Sequence, residues 1–232
     1  MTYSATKAYI QTKTHRNESE VRSEDTPTEP SASKQGLVDA LFRIGALRFG
    51  SFTLSSGKRS SYYLDLRIVP SYPEVFSIVI GAYAEMVRQI KESSFDVIAG
   101  VATAGIAFSS PLAFLLRKPM VYVRHEGKGH GLERLVEGAL VPGCQAILVD
   151  DLVTSGGSIL SAAASLRREG CRVKEAIVLV DRMEGGKSNL SDDGIRLVAY
   201  VTIKELADYA RQAQKITKKD YGSVLRQLGG PG

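Results

Sequence analysis

Apolar residues recur with a helical period over GLVDALFRIGAL, where Leu37, Val38, Leu41, Phe42 and Ile44 share one face. The pattern then changes to alternation. FGSFTLSSGKRSSYYLDLRIV carries a Ser-Ser-Gly turn at its centre and predicts a β-hairpin. A second helix is predicted to open at residues 71–74: Ser71 can cap it, Pro73 suits the first turn, and Glu74 follows three residues after Ser71. Its apolar face holds Val75, Phe76, Val79, Ile80, Tyr83, Met86, Val87 and Ile90. That face reads as core, not as a cofactor site.

Two later stretches share one plan. FDVIAGVATAGIAFSSPLAFLLRKPMVYVRHE reads as strand, Gly-containing turn, helix and strand. CQAILVDDLVTSGGSILSAAASLRREGCRVKEAIVLVDR repeats it. Short, fully apolar strands alternating with helices predict an α/β fold, with a mainly parallel central sheet flanked by helices on both faces. Right-handed crossovers then bring the turns at 100–105, 124–138, 150–158 and 181–186 to one sheet edge, where open α/β sheets bind ligands. Two more helices are predicted in TIKELADYARQAQK and KKDYGSVLRQLGG. Residues 1–34 are polar and Ser/Thr-rich without sustained period, which predicts a disordered N-terminal extension. Residues 35–232 then form a single domain.

The bulk numbers fit this plan. A chain of 232 residues with 44% hydrophobic and 24% charged residues suits one soluble α/β domain. The net charge of +5 is compatible with an anionic ligand. No cationic block is interleaved with aromatics, so nucleic acid is not an expected partner. No apolar run is long enough to span a membrane. The N-terminus lacks the apolar core of a secretory signal and is too acidic for an organellar address, so a cytoplasmic, reducing location is expected. Cys144 and Cys171 match no metal or redox spacing and are expected to be small buried residues.

The chemistry concentrates in AILVDDLVTSGGSIL. A strand of Ile147, Leu148 and Val149 runs into Asp150 and Asp151. Burying an unpartnered carboxylate is costly, so both acids should sit at the strand's exit, toward ligand or solvent. Successive strand residues point opposite ways, so the two should differ in role. One carboxylate can accept from vicinal hydroxyls. The other can accept from backbone donors, a base or a metal-bound water. Thr154, Ser155, Gly156, Gly157 and Ser158 follow at a helix start. Glycines there admit close approach, and free N–H groups with the helix dipole favour phosphate. An acid before a Ser/Gly turn can simply cap a helix. The whole order of strand, acid pair, hydroxyl-Gly-Gly-Ser and helix points instead to a ribose 5-phosphate. It has neither the Lys of a Walker loop nor the glycine spacing of a dinucleotide fingerprint.

This stretch resembles the phosphoribosyl pyrophosphate motif of type I phosphoribosyltransferases. The resemblance implies that Asp150 and Asp151 hold the ribose hydroxyls, and that Thr154 to Ser158, with the backbone of Leu152 and Val153 before them, hold the donor's phosphate. It also implies a flexible loop over the site and a hood that selects the base, here formed mainly by residues 35–70. Three further stretches narrow it. FTLSSGKRSSYYLDLR, VRHEGKGHGLERLVEG and VLVDRMEGG resemble the hairpin, the catalytic loop and the acceptor-contacting segment of orotate phosphoribosyltransferases.

That resemblance implies transfer of phosphoribosyl to orotate with release of pyrophosphate, a step of pyrimidine biosynthesis, with Mg2+ held mainly by the substrate. It places Arg124, His125, Lys128 and His130 against pyrophosphate, and Thr103, Ala104 and Gly105 in a backbone turn beside it. It gives catalysis to Lys128 and Asp151. Orotate falls to Arg182, Thr154 and Lys58, the last standing in for a hairpin lysine replaced here by Ser55. Tyr62 and Tyr63, being strand neighbours, should divide between base pocket and core. A homodimer is implied, with the loop 124–138 reaching the neighbouring site. A purine or uracil phosphoribosyltransferase, and an inactive regulator of the same fold, are the alternatives. Arg182 argues against the first, because a neutral base needs no guanidinium. The intact basic loop argues against the second.

Overall fold

In a computed structural model, which describes residues 33–53, 57, 59–90, 94–124 and 135–230, the first element is helix α1 (Lys34–Arg43), capped by the Ser33 hydroxyl at the Gly36 N–H. The predicted hairpin follows. Strands β1 (Leu47–Thr53) and β2 (Arg59–Leu64) pair antiparallel, with Leu47 opposite Leu64 and Thr53 opposite Arg59. The next boundary differs from expectation. Ser71 ends a 3-10 turn (Leu66–Ser71) instead of capping, and helix α2 (Pro73–Ile90) starts at Pro73. A first-turn proline loses nothing there, because that N–H has no intrahelical partner. The expected N-terminal extension falls, through residue 32, outside the described residues.

The central sheet is laid down as β3 (Val97–Val101), α3 (Ala104–Leu115), β4 (Met120–Val123), β5 (Val136–Glu137), β6 (Gln145–Val153), α4 (Gly157–Arg168), β7 (Arg172–Asp181), α5 (Gly186–Asp192) and β8 (Arg196–Thr202). Helices α6 (Ile203–Gln212) and α7 (Lys218–Gln227) complete the order, each opened by a capping box, Thr202 with Glu205 and Thr217 with Asp220. The strand order is β5-β4-β3-β6-β7-β8, parallel throughout except for the β4–β5 pair.

Alternation along the strands divides the core into two layers. Ile147, Val149, Ile177 and Leu179 pack with α1, α2, α3 and α6. Ala146, Leu148, Ala176 and Val178 pack with α4 and α5. Strands buried on both faces need apolar residues at every position, which is why they read as continuous apolar runs. From β3 the chain moves outward to β4 on one side; from β6 it moves outward through β7 to β8 on the other. The reversal opens a crevice beyond the carboxyl ends of β3 and β6, the place where such sheets bind ligands.

The cysteines correct an expectation. Cys144 and Cys171 form a disulfide, with Cα atoms 4.9 Å apart. Each immediately precedes a strand, and the parallel register sets Gln145 opposite Arg172. One strand-helix-strand unit therefore separates the cysteines in sequence yet brings them side by side. Both are at the edge of burial or within it, at 9% and 4% exposed. The bridge closes the loop that contains β6 and α4 and spans 27 residues. A loop of that length implies a stabilisation of about 3.5 kcal/mol through the unfolded chain. Urea unfolding with and without reductant should differ by about that amount; superimposable curves would show that the bridge contributes nothing.

Candidate active site

Strand β6 does not stop at its acids. Asp150 and Asp151 lie within it, and pairing with β7 continues through Leu152 opposite Val180 and Val153 opposite Asp181. Asp150 is only 8% exposed. The Asp150 carboxylate accepts the Asp151 N–H at 2.9 Å, and the Asp151 carboxylate accepts the Leu152 N–H at 2.8 Å. These bonds do not offset desolvation. Burial first, and the Asp151 charge second, push Asp150 up to about 8. Burial also raises Asp151 above the usual carboxylate range. Two adjacent carboxylates under an apolar sheet resist ionising together, and a ligand that supplies donors or positive charge relieves that resistance.

The two acids have different surroundings. Asp150 lies against Gly105 in the first turn of α3, where a side chain would collide with the Val149 carbonyl. Glycine at 105 thus lets the turn after β3 close against the end of β6. Thr103 and Ala104 stand in that turn, and the Ala102–Thr103 peptide is cis. Asp151 lies in the field of Arg67, whose charge lowers its pKa against the effect of burial. Arg67 is itself gripped by Asp65, at 2.8 Å from Nε and 2.9 Å from Nη2.

Tyr83 ties the layer below to the acids. Fully buried on α2, its hydroxyl donates to the Asp150 carbonyl at 2.7 Å and accepts the Leu179 N–H at 3.2 Å. It bridges β6 and β7 beside the register pair Asp150–Val178. The α2 face is therefore core with one polar reach toward the site, which an apolar pattern alone does not reveal.

Beyond the acids, Gly156 takes φ +84°, a conformation that favours glycine, and acts as the N-cap of α4 without a side-chain capping bond. The first-turn N–H groups of α4 have no side-chain cap at that position and suit an anion. Asn189 on α5 steadies the turn, its Nδ2 donating to the Ser155 carbonyl at 2.9 Å. Residues Asp150 to Ile159 line one pocket of about 260 Å³.

Arg182 follows β7, and its N–H donates to the Val153 carbonyl at 3.0 Å, setting its backbone beside the end of β6. Its Nε donates to the Tyr62 hydroxyl at 3.0 Å, and Nη2 meets Glu184 at 2.9 Å. Tyr62 is buried, and burial is the largest cause of its raised pKa. Tyr63 is half-buried instead, beside Phe52, with its hydroxyl on Asp65. So the hairpin sends Tyr62 toward Arg182, while Tyr63 is not a core residue. Arg124 follows β4 at the same sheet edge and pairs with Glu137 at 3.3 Å. Lys58, His125, Lys128 and His130 lie outside the described residues.

Sequence reasoning missed Arg67, Tyr83 and Glu184. Arg67 was visible as a cation after the hairpin, but its proximity to Asp151 depends on a tertiary turn.

The raised pKa of Asp150 has a sign. The folded value lies above the unfolded one, so the contribution to stability is complete below about pH 4 and is lost as the pH rises through about 8. Unfolding free energies of ligand-free wild type and Asp150→Asn should coincide near pH 4. They should diverge in favour of the variant toward pH 8, by an amount on the order of a few kcal/mol. A pH-independent difference would remove the assigned cause.

Comparison with known proteins agrees with this geometry. A phosphoribosyl transferase domain model matches residues 70–198. A curated orotate phosphoribosyltransferase of Sulfolobus acidocaldarius is 47% identical over 170 residues, which is 73% of this chain and 84% of that protein. The crystal structure of orotate phosphoribosyltransferase from Aeropyrum pernix matches with a TM-score of 0.70 at 37% identity, over 78% of this chain and 99% of the other. The structure of Leishmania donovani UMP synthase matches with a TM-score of 0.75 at 34% identity, over 86% of this chain but 43% of that longer one. An acid pair and a Gly-containing turn at the switch point, an arginine that follows the next strand, and relatives of this identity and coverage converge: the chain belongs to the orotate phosphoribosyltransferase family.

Proposed function

We propose that this chain transfers the phosphoribosyl group of phosphoribosyl pyrophosphate to N1 of orotate, with inversion at C1 and loss of pyrophosphate, in pyrimidine biosynthesis. The observation that carries the reading is one hydrogen bond. The Arg182 N–H on the Val153 carbonyl holds the Arg182 backbone beside the end of β6, just before the Gly-containing turn, while its half-buried guanidinium is held by Tyr62 and Glu184. A planar fork suits a carboxylate, and of the bases this family of folds can select, orotate is the acidic one.

The residues divide the work. Asp150 and Asp151 accept from the ribose hydroxyls. Thr154, Ser155, Gly156, Gly157 and Ser158 enclose the 5-phosphate, with the backbone of Leu152 and Val153 leading into the turn. Arg182 takes the orotate carboxylate, with Thr154 and Lys58 as further orotate contacts. Thr103, Ala104 and Gly105 form the floor for pyrophosphate, and Arg124, His125, Lys128 and His130 close over it. Positive charge grows on the ribose and negative charge on the leaving group as the C1–O bond breaks. Lys128 stabilises the departing oxygens, and Asp151 holds the ribose in line. Orotate N1 arrives as an anion, so no strong protein base is demanded.

Magnesium fits this donor set. The pocket offers carboxylate and hydroxyl oxygens, the ligands this hard cation prefers. Among the described residues no group of three or more His, Cys, Asp or Glu side chains converges as a cage. In this reading the substrate brings most of the coordination, and Asp150 and Asp151 are the residues that would hold the ion from the protein side. When bound, the ion offsets charge on the pyrophosphate. We further propose a cytoplasmic homodimer in which the loop 124–138 reaches the neighbouring site.

One assay tests the reading. The protein, magnesium and phosphoribosyl pyrophosphate are incubated separately with orotate, uracil, adenine and hypoxanthine, and loss of each base is followed. Orotate alone should be consumed at a substantial rate. Consumption of a neutral base instead would remove Arg182 from its role, and no consumption of any base would favour a non-catalytic ligand sensor.

A further inference from the structure

The acceptor side of the site already contains a carboxylate. After β7 the chain turns sharply: Met183 adopts φ +58°, its N–H donating to the buried Asp181 carboxylate at 2.7 Å. A left-handed conformation at a non-glycine residue costs energy on the order of 1 kcal/mol. Its consequence here is to fold Glu184 back onto Arg182, two residues earlier. Glu184 Oε1 then meets Arg182 Nη2 at 2.9 Å and accepts from the Tyr62 hydroxyl at 3.3 Å. The same hydroxyl accepts from Arg182 Nε at 3.0 Å. Arginine, tyrosine and glutamate thus close a triangle.

The geometry of a guanidinium makes that triangle consequential. Its two bidentate edges are Nε with Nη2 and Nη1 with Nη2, and Nη2 gives a separate N–H to each. Tyr62 and Glu184 together occupy the Nε–Nη2 edge, so a carboxylate that takes this edge must displace Glu184, and one that takes the other edge meets its negative charge alongside. The exposures fit an exchange: the Arg182 side chain is 17% exposed and fixed by Tyr62, whereas the Glu184 side chain is 42% exposed and has room to leave.

We propose that Glu184 is a resident competitor for the acceptor's carboxylate. It keeps Arg182 paired and aimed while the acceptor subsite is empty, and it is displaced when an acidic base binds. Glu184 thereby sets the affinity for orotate without being a catalytic residue. This inference rests on the reading that Arg182 binds the orotate carboxylate. A base without a carboxylate does not contest Nη2 and should be indifferent to Glu184.

The test uses the full chain with Glu184→Gln, which keeps size and hydrogen bonding but removes the competing charge. The KM for orotate should fall about three- to tenfold, while the inhibition constant of uracil, used as the carboxylate-free probe, stays the same. A rise or no change in the orotate KM would overturn the proposal, the first result making Glu184 a support for Arg182. An equal fall for uracil would also overturn it, because the pocket would then simply have opened. Arg182→Ala is measured in parallel. If that variant leaves the orotate KM unaltered, the acceptor reading itself fails; if it raises the KM while Glu184→Gln does nothing, only the competitor role fails.

Discussion

Two adjacent carboxylates are held near the end of an apolar strand, and the rest of the site is arranged around the cost of keeping them there. Burial raises both pKa values, and the neighbouring Asp151 charge adds to the rise at Asp150, which reaches about 8. The fold supports this strained pair from three sides. Tyr83 fixes the Asp150 carbonyl from below, Gly105 allows α3 to close beside it, and β7 continues the ladder past it. A site whose charges are unsatisfied when empty is one whose ligand restores the balance. Ribose hydroxyls and a substrate-borne cation have that chemistry.

The same logic recurs at the acceptor end with the opposite sign. An unpartnered guanidinium beside a buried tyrosine would also be costly, and here it is paired internally with Glu184. The acid pair is thus left short of partners by burial, whereas Arg182 is paired internally. One backbone hydrogen bond, Arg182 to Val153, links the two sides across β6 and β7. The disulfide at the opposite ends of these strands closes the same unit.

Much of this was legible in the sequence, because it is local. The apolar run before Asp150, the hydroxyl-Gly-Gly-Ser turn and the helix after it are contiguous, so their order alone indicated a strand, an acid pair, a turn and a helix, which together line one pocket. The parallel sheet followed from strands that are apolar at every position. What sequence reading could not supply depends on register. Cys144 and Cys171 meet only because β6 and β7 begin level with each other. Tyr83 was indistinguishable from its apolar neighbours on α2, since its hydroxyl matters only once Asp150 and Leu179 are placed above it. Glu184 gave no signal because its return to Arg182 depends on the left-handed turn at Met183.

The central claim is that the acid pair is held at a cost that the ribose donor repays. Its most direct test is the thermal shift produced by phosphoribosyl pyrophosphate with magnesium, measured on wild type, Asp150→Asn and Asp151→Asn. A large upward shift in wild type and little or none in either variant is the predicted result. Equal shifts in all three proteins would contradict the account, because the donor would then be held without the two carboxylates.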